Sequence, residues 1–163
     1  MTAIIFYLSE QKLAVKDIYP VVEKFAKKYG YRGNRGTPFA TIRMIFQKSL
    51  ANFKMPTAYG KYLRGIGYKF KDIKAEINKG NPVILSLDHD GKDYYDNHSI
   101  TIVGYELYKI NNKDVPMLIV YDNWYKAIAY VDYNKMSRFS SIHFAELTFK
   151  QRHNMWKTLK NLK

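Results

Sequence analysis

The chain contains no cysteine among its 163 residues. This excludes disulfides, thiolate metal sites and, within these residues, any thiol nucleophile. Acidic residues are scarce too, 14 Asp/Glu against 27 Lys/Arg, for a formal charge of +13. No apolar run approaches the roughly 20 residues that span a bilayer, and Met1 to Leu8 has neither a basic flank nor a small-residue cleavage site. Neither a transmembrane segment nor a targeting signal is therefore read from the sequence. Disorder and low complexity are excluded by what is present: 47% hydrophobic and 16% aromatic residues, ample apolar area to offset chain entropy. A chain of this length buries about two-thirds of its unfolded surface. It is expected to form one domain over residues 1–163, with no repeat, linker or internal boundary.

The positive charge is uneven. Residues 1–80 hold 16 Lys/Arg and 5 Asp/Glu, a balance of +11 that leaves +2 for the remainder. Between Glu23 and Asp72 there are twelve basic residues and no acidic one. Such a stretch attracts nucleic acid, anionic lipid or wall polymer, and its interleaved Tyr29, Tyr31, Tyr59 and Tyr62 are compatible with base stacking. A lysine-rich solvated face accounts for the same composition, and no recognisable DNA- or RNA-binding motif is found. Nonspecific polyanion binding through the Lys24 to Lys71 region is an expectation from charge alone.

Thr2 to Val15 repeats apolar residues at helical spacing. Asp17-Ile18-Tyr19-Pro20 then opens a second helix, with Gly30 as its C-terminal stop. After the basic turn GYRGNRGTP, the run FATIRMIFQKSLANF predicts a third helix with its Phe residues facing inward. Residues 57–70 hold too many glycines for assignment, and Asp72 to Lys79 predicts a short helix ended by Gly80. The pattern then changes. Residues 81–87, 99–107, 117–121, 127–132 and 141–149 are short β-branched or aromatic runs between polar turns, five strands at hairpin spacing. Helices first and strands second predict an α+β domain, with the N-terminal helices packed on a C-terminal antiparallel sheet. Residues 150–163 read as a basic, helix-compatible tail.

Of the four histidines, His89, His98, His143 and His153, His98 has the informative setting. It stands at the entrance of an apolar strand, where the backbone is held and the ring is free to be aimed. The next strand ends in Asp122-Asn123-Trp124. Hairpin pairing of residues 99–107 with 117–121 sets the start of one strand beside the end of the other, so His98 and Asp122 are expected neighbours. A carboxylate accepting from one ring nitrogen would fix the tautomer and leave the other nitrogen to act on a nucleophile. Trp124 would shield that bond, and Trp124, Asn123 and Asn97 are the expected substrate contacts. A histidine beside an aspartate at a strand end is also an ordinary structural hydrogen bond, and pairing logic does not separate the two. Asp88-His89-Asp90-Gly91-Lys92-Asp93 has the wrong spacing for a calcium loop and no Glu near its twelfth place. A hairpin turn at Asp90-Gly91 explains it. No cofactor or metal is expected, loose zinc binding by His89, His98 and these aspartates being the weaker alternative.

Gly80-Asn81-Pro82-Val83-Ile84, then His98 with Gly104-Tyr105, then Asp122 with Trp124 resemble, in order and spacing, the papain-like bacteriocin-leader (double-glycine) cysteine peptidase family and its secreted relatives. The resemblance covers Ile73 to Asn123. It implies a papain-like fold, a peptide or protein substrate, His98 as general base and Asp122 as its orienter. It also implies a bacterial source and an extracytoplasmic or secreted setting, which nothing in the residues themselves specifies. The family's nucleophile is a cysteine at the start of the first long helix, often in a Cys-x-x-Thr-Ala pattern preceded by a Gln of the oxyanion hole. There the helix dipole and the imidazolium lower the thiol pKa. Thr2-Ala3 fits the Thr-Ala of that pattern, so the resemblance places the missing cysteine ahead of Met1. The expectation is either truncation past the nucleophile and the oxyanion Gln or a lineage that has lost them and keeps the fold for another purpose. Ser99 adjoins His98 but points to the opposite strand face, and Ser86 has no motif around it, so no peptide hydrolysis is expected of the chain as it stands. The reading from another class is a non-enzymatic basic domain that binds peptide or polyanion.

Overall fold

The computed structural model describes residues 1–33, 36–55, 63–64, 70–87, 95, 98–136 and 140–144. The chain divides into two compact units, residues 1–61 with 145–163, and residues 62–144.

The first unit contains helices α1 (Thr2–Leu8), α2 (Val15–Lys28) and α3 (Phe39–Asn52), with α1 on α2 and α2 on α3. Ile4, Ile5, Ile18, Ile45, Phe46 and Leu50 are fully buried here, which accounts for the apolar spacing. Two boundaries differ from expectation. The first helix stops at Leu8 instead of reaching Val15, because Ser9 Oγ donates to the Phe6 carbonyl at 2.8 Å and accepts from Leu13 N–H at 3.3 Å. Glu10 and Gln11 then turn left-handed, at φ 54° and 62°. The second helix begins five residues before Pro20, since the Ala14 carbonyl already accepts from the amides of Asp17 and Ile18. Pro20 lies inside the helix and costs it one hydrogen bond. Gly30 does follow the C-cap, and Tyr31 N–H reaches back to the Ala26 carbonyl at 2.9 Å.

The second unit is a mixed layer of one helix and one sheet: β1 (Leu63–Arg64), α4 (Phe70–Asn78), β2 (Val83–Leu87), β3 (Ser99–Ile110), β4 (Lys113–Tyr121), β5 (Ala129–Asp132) and β6 (Ser140–Phe144). The strands form an antiparallel sheet of order β1-β6-β2-β3-β4-β5. All five expected strands are present, and the two-residue β1 adds an edge from the stretch that resisted assignment. Gly80 ends α4 at φ 80°. The Asn81 amide then bonds the Glu76 carbonyl at 2.9 Å and the Gly80 amide bonds that of Ile77 at 2.8 Å, the double closure that a left-handed glycine permits. The fully buried Ile73 of α4 lies in one cluster with Val83, Leu85, Ile100 and Ile102, and Phe70 and Ile77 pack against it.

The β3–β4 hairpin closes at Asn111 and Asn112, both left-handed at φ 51° and 59°, the tight turn that matches strand twist. Its register slips between Ile102 and Gly104, so that Val103 is an extra residue. The slip reverses which residues face α4: Ile100 and Ile102 do so before it, Tyr105 after it. Tyr105 then meets α4 edge-on at Phe70, centroids 5.4 Å apart, and donates its hydroxyl to Asn78 at 3.0 Å. Gly104 sits at the bulge against Ile119, whose Cδ1 a Cβ there would approach to 3.0 Å. The Gly-Tyr pair of the sequence motif is thus a packing device. The Asp90-Gly91 turn and the calcium-loop alternative fall on residues outside the described set.

Candidate functional site

The pairing of Thr101 with Tyr121 brings the entrance of β3 beside the exit of β4. His98 immediately precedes β3, and its main-chain carbonyl accepts from Leu87 N–H at 2.7 Å, which ties it to β2. Asp122 immediately follows β4 and is only 1% exposed. The two residues meet as the hairpin argument required, but through different atoms. His98 Nε2 lies 2.5 Å from the main-chain oxygen of Asp122. The expected bond from carboxylate to imidazole is corrected to one from carbonyl to imidazole. The physical reason is that the carboxylate is engaged elsewhere. Oδ1 accepts from the amides of Trp124 at 3.0 Å and Tyr125 at 3.1 Å, and Oδ2 from the Tyr95 hydroxyl at 3.2 Å.

These contacts set the local electrostatics. Burial pushes the Asp122 carboxyl up, but the amides of Tyr125 and Trp124, the Tyr95 hydroxyl and the nearby His98 ring outweigh it and hold the carboxyl below its ordinary 3.8. A carbonyl oxygen only accepts, so Nε2 carries the hydrogen of this bond, and the tautomer it selects has its lone pair at Nδ1.

Three rings enclose the bond. Trp124 stacks on His98 at 4.5 Å between centroids and 30° between planes. Tyr95 lies 5.9 Å from His98 at 19°, and 5.2 Å from Trp124. Tyr95 is buried, whereas Trp124 keeps about half its surface exposed. Asn123 is exposed at the turn with φ 65°. Asn97, His89 and His153 lie outside the described residues, as does the His143 side chain, although its backbone pairs with Ile84. The sequence reading missed Tyr95. Its signal was an aromatic residue three positions ahead of His98 in an otherwise polar run.

No thiol is present to complete this pair, and the nearby hydroxyls are otherwise occupied. Ser86 is fully buried, and its hydroxyl pairs with that of Ser99 at 2.8 Å across β2 and β3. Among the described residues no group of three His, Cys, Asp or Glu could hold a metal ion, and no helix is long and apolar enough to cross a membrane.

With its α+β fold, the chain is of the papain-like, cysteine-peptidase-like class, without a cysteine in its sequence, as the family match shows. The sequence model of the Peptidase_C39 like family matches residues 7–152, and the chain belongs to that family. None of the curated proteins compared matches it.

Proposed function

We propose that this chain binds peptide at the His98–Asp122 site and, having no thiol, does not cleave it. His98 occupies the position of general base and acid, Asp122 that of its orienter, and Trp124, Asn123 and Asn97 are the peptide contacts. One observation carries this reading: the 2.5 Å bond between His98 Nε2 and the Asp122 carbonyl. It commits one nitrogen and leaves Nδ1 as an acceptor beside a half-exposed indole. In a thiol-bearing relative, Nδ1 would take the thiol proton and later return it to the leaving amine. Here it is left to accept from a peptide N–H. Incubation with leader-type and unstructured peptides should give no hydrolysis above buffer. Calorimetric titration should show binding that His98→Ala and Trp124→Ala each weaken about tenfold, as loss of a central polar or aromatic contact does. Unchanged affinity in both variants would reject the site. Should the coding sequence supply a cysteine ahead of Thr2, the same pair serves acyl transfer, and His98→Ala abolishes it.

A second reading, polyanion binding, is favoured by one specific feature. Lys24, Lys28, Arg43 and Lys48 are exposed on α2 and α3, in a stretch without any acidic residue after Glu23. Lys27, between them on α2, is drawn to Glu23 at 2.9 Å. It is tested by salt, as set out below.

A further inference from the structure

Asp122 is the residue read above as orienter, yet its carboxylate does not touch the imidazole. All three of its bonds go instead to the turn that follows β4 and to Tyr95. The two amide bonds curl residues 122–125 around the left-handed Asn123, and that curl directs the Asp122 carbonyl at His98. Tyr95 supplies the third bond from a position only 4% exposed, and its ring lies near parallel to that of His98, at 19°, and tilted by 40° to that of Trp124. We propose that Tyr95 is a positioning residue of this site: its hydroxyl completes the ring of donors on the Asp122 carboxylate and so locks the turn whose main-chain carbonyl takes the His98 ring N–H. This rests on the reading of His98 as the site's base. A carbonyl carries no charge and cannot donate, so it selects the tautomer protonated at Nε2 without forming an ion pair. The orienting function belongs to the turn, with the carboxylate as its internal fastener.

The test is the imidazole nitrogen spectrum of the ¹⁵N-labelled full chain, with His98 assigned by His98→Gln. The wild type should show His98 protonated at Nε2. Tyr95→Phe keeps the ring and removes only the hydroxyl. It should mix the tautomers and speed solvent exchange of the ring N–H about fivefold to tenfold, the scale of one net hydrogen bond. Tyr105→Phe, which loses a hydroxyl bonded to Asn78, should leave the His98 signals unchanged. Asp122→Asn should retain the Nε2–H form, because an amide oxygen still accepts both main-chain N–H groups and its NH₂ can donate to the Tyr95 oxygen. Asp122→Ala should lose it. A wild-type tautomer and exchange rate in Tyr95→Phe would overturn the proposal. So would an Asp122→Asn protein as disordered at His98 as Asp122→Ala, the signature of a direct carboxylate–imidazole pair. If Tyr95→Phe does not fold, the Asn/Ala comparison at Asp122 decides alone. The expected tautomer pattern without peptide affinity would remove the functional reading and leave Tyr95 its role. Peptide affinity with an unresponsive tautomer would do the reverse.

Discussion

Asp122 shows how much one buried side chain can organise. Asp122→Ala leaves the Trp124 and Tyr125 amides and the Tyr95 hydroxyl without their acceptor. The expected loss is about 2–4 kcal/mol, because orphaned polar groups cost more than the net value of the bonds they made. Urea unfolding measures it. Asp122→Asn, which keeps an acceptor for both amides, should cost less than half as much. The acid behaviour follows from the direction of the shift. The carboxyl lies below its ordinary 3.8 in the folded chain, so the unfolded chain binds the proton more readily. The stabilisation is therefore complete above the unfolded value and is lost as pH falls through the folded one. The advantage of the wild type over Asp122→Asn should hold steady at neutral pH and shrink below about pH 4. An advantage that grows on acidification would contradict the assignment.

At the level of elements, the β3 bulge matters most, since it moves Tyr105 onto the α4 side of the sheet. Gly104→Val should cost about 1–3 kcal/mol, the range for forcing extra carbon into a packed contact. Ile119 Cδ1 is already 3.0 Å and Ile119 Cβ 3.4 Å from where a Cβ would stand. The cost should fall in the double variant with Ile119→Ala, a non-additivity that thermal unfolding of the four proteins detects. Most elements were legible from the chain because their signals are local: β-branched runs between polar turns for β2 to β6, and a left-handed glycine after α2 and α4. The errors have local causes of another kind. Leu8 to Val15 keeps an apolar rhythm, yet the Ser9 side chain and two left-handed residues break the helix. Pro20 reads as a helix start, yet the buried Ile18 belongs to a helix already under way. Val103 cannot be recognised as a bulge from sequence, since nothing in its own identity distinguishes it from a paired strand residue.

For the whole molecule, charge and chemistry make separate predictions. If the basic first half meets a polyanion, affinity for single-stranded DNA should fall at least about tenfold between about 50 and about 200 mM salt. That is the response to three or more phosphate contacts, each contributing about −0.7 to the logarithmic slope. Reversal of Lys24, Lys28, Arg43 and Lys48 to Glu should abolish that affinity while leaving peptide binding at His98 intact. A salt-independent affinity would reject the charge argument. The amino-acid sequence by itself determined the α+β character, the uneven charge, the absence of a thiol and the neighbourhood of His98 and Asp122. Each of these follows from composition, from short-range periodicity or from the pairing that a hairpin enforces. Only the tertiary structure decided which oxygen of Asp122 faces the imidazole, and that Tyr95 closes the carboxylate's bonds. A side chain with several acceptors takes the donors that folding brings within 3 Å or so, and those donors come from residues whose approach no linear pattern encodes.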